Sequence, residues 1–159
     1  MTRTRANLHP FLAMGFGIGL LLTQCAPAPK PPPEVTIVLT GGADQNPGAN
    51  GVPAPVAVRL FQLTATAKFE RADVFALIDR QQQTLGTDDA GSQEFVLSPS
   101  ETRTVKLDPK PGVSAIGVIV LYRDIDHAQW RADAPIAAEG ATRLAASIGA
   151  LRVTLKAAP

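Results

Sequence analysis

The first 33 residues constrain the fold most, because their composition sets them apart from a packed domain. Arg3 and Arg5 precede an uncharged apolar run from Phe11 to Leu22, and no acidic residue occurs before Glu34. A helix needs about 20 apolar residues to span a bilayer. A run of about a dozen is instead typical of the central region of a secretory signal. The folded domain therefore has to come from the rest of the chain.

The sole cysteine, Cys25, closes this run in the sequence Leu22-Thr23-Gln24-Cys25-Ala26. A single cysteine excludes an intramolecular disulfide. The segment resembles the lipobox of bacterial lipoproteins, although Gln24 replaces the small residue usual there. The resemblance implies that residues 1–24 are a removed signal peptide and that Cys25 is acylated. The alternative is a plain secretory signal or an N-terminal anchor in which Cys25 has no role.

A proline-rich stretch follows, with five prolines in the eight residues 26–33. Such a stretch favours an extended polyproline conformation of about 3.1 Å per residue, or about 25 Å in all. We predict that residues 25–33 are a semi-rigid tether. A proline-rich ligand for a recognition domain is the alternative.

The composition of the whole chain favours a β-domain for residues 34–159. Only 5% of the chain is aromatic, so Val, Leu, Ile and Ala must form the core, and 14 prolines and 13 glycines indicate many turns. Val and Ile fit a pleated sheet better than a helix. We predict an all-β fold, a two-sheet β-sandwich of seven or eight strands with one short helix. The predicted strands are 34–40, 56–64, 93–97, 102–107, 113–123, 142–147 and 151–156.

Three segments are informative about position in this sandwich. Residues 56–64 carry apolar groups on both faces, and residues 113–123 are the most apolar of all, so both strands should be central. In residues 68–80 the apolar side chains recur at three- and four-residue spacing, which predicts the helix. Residues 41–55 are rich in turn-forming residues and contain no apolar run, which predicts a long loop.

The charge balance excludes a nucleic-acid partner. The chain has 15 basic and 14 acidic residues. Without Arg3 and Arg5, the two basic residues of the signal, 13 basic residues remain against 14 acidic, a net charge of −1. Recognition of nucleic acid requires a basic stripe or patch, and none is present.

The sequence also lacks the motifs of catalysis. It has no Gly-x-Ser-x-Gly elbow and no phosphate-binding glycine loop. Asp124, Asp126 and His127 are close in sequence, but a metal site usually combines several His or Cys ligands. We interpret them as a solvated turn, and Asp88 and Asp89 as a loop. We predict no catalytic residue, no metal and no cofactor.

Residues 34–156 contain an ordered set of segments: VAVRLFQL (56–63), FERADVFALI (69–78), Leu85, SPSE (98–101), IGVIVLYRD (116–124) and Trp130-Arg131. In this order the set resembles a known family, the outer-membrane lipoproteins of type VI secretion systems (TssJ, also called SciN or VasD). Trp130 also has a purely structural interpretation as a core aromatic.

The resemblance implies a transthyretin-like sandwich, lipid-anchored at the periplasmic face of the outer membrane. It implies a partner, the periplasmic C-terminal domain of TssM, within the complex that TssM forms with TssL. In the family, the loop between the first two strands contributes to that contact. Here it corresponds to residues 41–55, in which Asp44, Gln45, Asn46 and Asn50 are expected to present polar groups to the partner.

Two other functions remain open from the sequence. One is a periplasmic small-ligand-binding lipoprotein with a β-sandwich fold, although no small-molecule substrate is expected. The other is a periplasmic enzyme built on Asp124, Asp126 and His127.

Overall fold

Eight β-strands form the framework of residues 31–158, the part of the chain that the computed structural model describes. The predicted signal peptide and Cys25 lie outside this part. The strands are β1 (Pro33–Gly41), β2 (Val56–Leu63), β3 (Asp89–Leu97), β4 (Thr102–Leu107), β5 (Ala115–Val120), β6 (Arg131–Pro135), β7 (Gly140–Ile148) and β8 (Val153–Ala157). The helices are α1 (Ala67–Arg71), α2 (Val74–Asp79) and α3 (Gln81–Leu85), with short 3-10 turns at Gly86–Asp88 and Ile125–His127.

The strands form two four-stranded sheets, in the orders β4-β1-β7-β8 and β3-β2-β5-β6. The pairing of β1 with β7 is parallel, and the other pairs are antiparallel. The two-sheet sandwich is therefore confirmed. Both strands predicted to be central, β2 and β5, have a neighbour on each side.

The main core lies between the two sheets. In β1 the side chains of Val35, Ile37 and Leu39 point inward and are at most 1% exposed, because alternate residues of a strand face the same side. They belong to the same apolar cluster as Val58 and Leu60 of β2. This alternation fixes the strand register, since a shift of one residue would expose the whole apolar row.

A second core lies between the β3-β2-β5-β6 sheet and the helices. Phe61 of β2 and Ile119 of β5 join an apolar cluster with Phe69 and Leu77 of the helical segment. This explains why all six residues of β5 are buried. Phe69 packs over Gly117, where an added Cβ would come within 2.7 Å of its ring. The glycine therefore allows the helical segment to approach the sheet closely.

The helical segment differs from the single helix expected over residues 68–80. It is divided because Ala72 is extended (φ −69°, ψ 148°), and the side chain of Asp73 then caps a new helix by accepting a hydrogen bond from the Ala76 N–H. The helical segment continues to Leu85 and stops at Gly86, whose φ of +59° is in the region that favours glycine.

Strand β6 was not expected from the sequence. It pairs with β5 at the edge of the sheet and directly follows Trp130. Trp130 is partly buried and packs against both apolar clusters, which agrees with a structural role. No helix within residues 31–158 has the length and apolar character needed to cross a membrane.

Candidate partner-binding site at one end of the sandwich

Four connections meet at one end of the sandwich, which we call the distal end: residues 42–55, 98–101, 121–130 and 149–152. Backbone hydrogen bonds join them. The Gly42 N–H donates to the Ile148 carbonyl, the Ser100 N–H donates to the Gly42 carbonyl, and the Gln129 N–H donates to the Leu151 carbonyl. The chain enters at the opposite end, the tether end, where the Pro31 carbonyl accepts a hydrogen bond from the Gly140 N–H.

Gln45 anchors the 42–55 loop through buried hydrogen bonds. Its side chain is fully buried, and its amide Nε2 donates to the carbonyls of Leu97 (2.8 Å) and Ala54 (3.3 Å). These bonds offset the cost of burying the Nε2 group, whereas the Oε1 of the same amide is buried without a partner among residues 31–158. The expectation that Gln45 presents a polar group on the surface is therefore wrong, because this amide faces inward and joins the loop to the end of β3.

Asn46 is buried in the same way, with 2% of its surface exposed. Its Nδ2 donates to the Pro55 carbonyl (2.9 Å), and its Oδ1 accepts from the Arg123 N–H (2.8 Å). Its φ of +46° lies in the left-handed region, which asparagine tolerates better than most residues. Asn46 too differs from the expectation of an exposed group, since it connects the loop to the segment after β5.

The other two loop residues named from the sequence, Asp44 and Asn50, are exposed. Asp44 lies near the buried Tyr122, whose hydroxyl pKa is raised first by burial and then by the Asp44 charge. Asn50 stands at the tip, where its Oδ1 accepts from the Val52 N–H at 3.2 Å. Val52 is 55% exposed, a large apolar side chain presented to solvent at the tip of an otherwise well-anchored loop.

Arg123 lines two open cavities at the distal end. One, of about 460 Å³, lies between Arg123 and the loop residues Gly48 and Ala49. The other, of about 310 Å³, is apolar and is lined by Phe75 and Ile78 of the helical segment. Phe75 is 62% exposed. Sequence reasoning missed these side chains as surface features, because an apolar residue in a helix pattern is ordinarily assigned to the core.

Asp124 and His127 form an exposed ion pair, with 2.7 Å between the Asp124 Oδ1 and the His127 Nδ1. The hydrogen bond and charge of Asp124, and to a smaller extent Asp126, raise the pKa of His127 above its usual value. Among residues 31–158, no group of three His, Cys, Asp or Glu side chains has the arrangement of a metal site. The segment has the form of a solvated 3-10 turn.

Comparison with known proteins identifies the family. A family described as type VI secretion lipoprotein (VasD, EvfM, TssJ, VC_A0113) matches residues 33–156. The chain belongs to this family. The match spans nearly all of the sandwich and begins at Pro33, so that Cys25 lies outside it. Among curated protein sequences, none matches the chain.

Solved structures agree with this assignment. The type VI secretion lipoprotein TssJ1 from Pseudomonas aeruginosa is 36% identical, with a TM-score of 0.78 over 81% of this chain and 98% of TssJ1. Serratia marcescens Lip, a membrane-bound component of the type VI secretion system, is 24% identical, with a TM-score of 0.67 over 80% of this chain and 97% of Lip.

A chain in the structure of the TssM C-terminal domain from EAEC shares the fold alone, at 21% identity. Its TM-score is 0.60 over 79% of this chain and 98% of that chain. The family is thus one of secretion-system lipoproteins, and the sandwich is its common fold.

Proposed function

We propose that this chain anchors the trans-envelope complex of a type VI secretion system at the outer membrane, by binding the periplasmic domain of TssM. Membership of the secretion lipoprotein family supports the general role. A TssM C-terminal domain structure contains a chain of the same fold, which supports the choice of partner. This role is one of binding, without catalysis.

The membrane attachment rests on the N-terminal sequence. In this proposal residues 1–24 are removed, acyl chains on Cys25 enter the periplasmic face of the outer membrane, and the proline-rich segment joins Cys25 to residues 34–159. One acyl chain holds a protein only weakly, whereas two or more hold it firmly. Because Pro33 already belongs to β1, the free part of the tether is shorter than the predicted residues 25–33.

The observation that carries partner binding is the position of the anchored loop. The 42–55 loop lies at the end opposite the tether, with Gln45 and Asn46 fixed inside and Asp44, Asn50 and Val52 outside. A loop already held in shape loses less conformational entropy on binding than a flexible one. Gln45 and Asn46 then contribute by shaping the contact surface, and the exposed loop residues touch the partner.

Binding of the mature chain to a purified TssM periplasmic C-terminal domain tests the proposal. Ala49→Asp and Val52→Asp place a charge on the loop tip and should each weaken binding at least tenfold, which is about 1.4 kcal/mol. Ala138→Asp is the matched control, because Ala138 is also an exposed alanine but lies at the tether end. It should bind like the unmodified chain.

Two outcomes would contradict the proposal. If the unmodified chain does not bind TssM at any salt concentration, the partner is wrong. If Ala138→Asp weakens binding as much as Ala49→Asp does, the distal end is not the contact. The anchor has its own test: Cys25→Ser should release the protein from the membrane fraction, and a variant that stays membrane-bound would contradict acylation.

A further inference from the structure

The tether end carries an apolar groove for which the proposed partner contact has no use. It has a volume of about 610 Å³, and its lining includes Pro32, Pro109, Pro111, Val113 and Ile136. Pro32 and Pro111 are exposed. One wall is the start of the described chain and the other is the loop between β4 and β5, so the groove lies where the chain leaves the sandwich.

We infer that this groove and the loop formed by residues 108–112 rest against the lipid bilayer that holds Cys25. The inference rests on the proposed acylation of Cys25. The occupant of the groove is then the headgroup region and upper acyl chains of the membrane surface.

The length of chain between the groove and Cys25 is the first argument. Six residue steps separate Cys25 from Pro31. A polyproline segment of that length spans about 19 Å, and even a fully extended chain reaches only about 20–22 Å. The tether end is thus held within about 20 Å of the bilayer. The distal end is free to lie farther away, by up to the length of a nine-residue strand, about 30 Å.

The polar groups of this surface are the second argument. A surface can enter the membrane interface cheaply only if its backbone N–H groups are already satisfied. Proline has no N–H to satisfy. The N–H groups of Val113, Ser114, Ile136 and Gly140 all donate to backbone carbonyls within the domain. Contact with lipid therefore leaves none of these donors without a partner.

The Lys110 side chain agrees with an interfacial position, whereas the exposed carboxylate of Asp108 has to stay in water at the edge of the contact. Lys110 stands exposed at the tip of the 108–112 loop. A lysine at such a position can keep its ammonium group among lipid phosphates while its aliphatic stem lies along apolar surface. Gly112, with a φ of +89°, permits the tight turn that presents Lys110 and Pro111 outward.

Fluorescent labelling of the acylated full-length protein tests the inference. Acylation consumes the Cys25 thiol, so that an introduced cysteine becomes the only site for the environment-sensitive dye NBD. The labels are placed by Lys110→Cys and Ala138→Cys at the tether end, and by Ala49→Cys and Arg152→Cys at the distal end. All four positions are exposed in the domain. Vesicles of phosphatidylethanolamine and phosphatidylglycerol supply the bilayer.

At the tether end, NBD emission should shift to the blue on reconstitution, iodide quenching should fall several-fold, and a nitroxide-bearing lipid should quench the dye. The distal labels should show none of these changes. Pro111→Asp should restore iodide quenching at position 110 without altering flotation of the vesicles with protein. Thermal unfolding of each variant verifies that the sandwich is intact.

The outcomes separate this inference from the proposed function. If the protein floats with the vesicles but all four labels are equally accessible to iodide, anchoring stands and the bilayer contact is refuted. If only the distal labels are protected, the orientation is reversed and the inference is likewise refuted. If the protein does not float at all, the acyl anchor fails and the inference fails with it.

Discussion

Among the charged residues of the domain, Arg131 should be one of those that contribute most to its stability. Its Nη1 donates to the carbonyls of Phe69 and Ala72, both at 2.8 Å. Its guanidinium also lies 4.7 Å from the centroid of the Trp130 ring. These contacts connect β6 to the junction between α1 and α2, and helices of five or six residues are not stable alone.

The expected loss for Arg131→Ala follows from these contacts. A hydrogen bond to a charged group contributes about 1.5–3 kcal/mol. Because Arg131 is only partly buried, the lower value applies to each bond, and contact with Trp130 adds about 0.5 kcal/mol. The free energy of unfolding should fall by about 3.5 kcal/mol. With a urea dependence of about 2 kcal/mol per molar, the unfolding midpoint should fall by about 1.8 M.

Urea unfolding followed by tryptophan fluorescence measures this directly, because Trp130 is the only tryptophan and lies against Arg131. Arg131→Lys should lower the free energy of unfolding by less, about 1–2 kcal/mol, because an ammonium group keeps the charge but lacks the planar set of donors of the guanidinium. Arg143→Ala, at an exposed position of β7, is the control and should change stability by less than about 0.5 kcal/mol. An Arg131→Ala loss no greater than that of the control would refute the argument.

Three further predictions concern a close approach, a buried amide and an ion pair. Gly117→Ala should lower the free energy of unfolding, measured with urea, by about 1–3 kcal/mol, because the new Cβ would lie 2.7 Å from the Phe69 ring. Gln45→Ala should cost about 1–3 kcal/mol and increase hydrogen exchange in the 42–55 loop, because two carbonyls lose their donor. Asp124→Asn should lower the pKa of His127 in an NMR titration, because Asp124 is the main cause of its elevation. Since folding raises the His127 pKa, the pair stabilises the domain at pH values below the unfolded pKa and ceases to do so as the pH rises through the folded one.

The first two of these predictions have matched controls. Gly149→Ala should be nearly neutral, because its Cβ would make only an ordinary contact, 3.7 Å from the Arg152 carbonyl. Asn50→Ala, at the exposed loop tip, should leave hydrogen exchange at the base of the loop unchanged. A Gly117→Ala variant as stable as Gly149→Ala, or a His127 pKa unmoved by Asp124→Asn, would contradict the respective argument.

The strands could be predicted because apolar alternation is a local property of the sequence. Val35, Ile37 and Leu39 repeat every second residue, and the structure buries all three. Strand β6 escaped prediction because its alternate positions are occupied by Ala132 and Ala134, which are too small to give a clear apolar signal. Strand β6 is formed through its pairing with β5, which is a contact between residues that are not neighbours in the sequence.

The candidate site was less predictable than the fold. Composition shows that residues 42–55 form a loop, but it does not show which polar side chains turn inward. Gln45 and Asn46 are buried because their partners, the Leu97 carbonyl and the Arg123 N–H, come from segments 52 and 77 residues away.

The division of the helical segment could have been predicted from Asp73, because aspartate is favoured at the start of a helix. The apolar periodicity, however, continues across this residue and favoured a single helix.

The position of β1 connects the two proposals. It begins beside the tether and ends at Gly41, immediately before the 42–55 loop, so that a load between membrane and partner would pass along this one strand. Along its length β1 pairs with β4 through six residues and with β7 through nine. Such a load would pull along the strand direction and would therefore be shared by the hydrogen bonds of both ladders, with β4 and with β7. The hydrogen bonds would not break one after another. A central strand paired on both sides is therefore the part of this fold best suited to join an anchor at one end to a partner at the other.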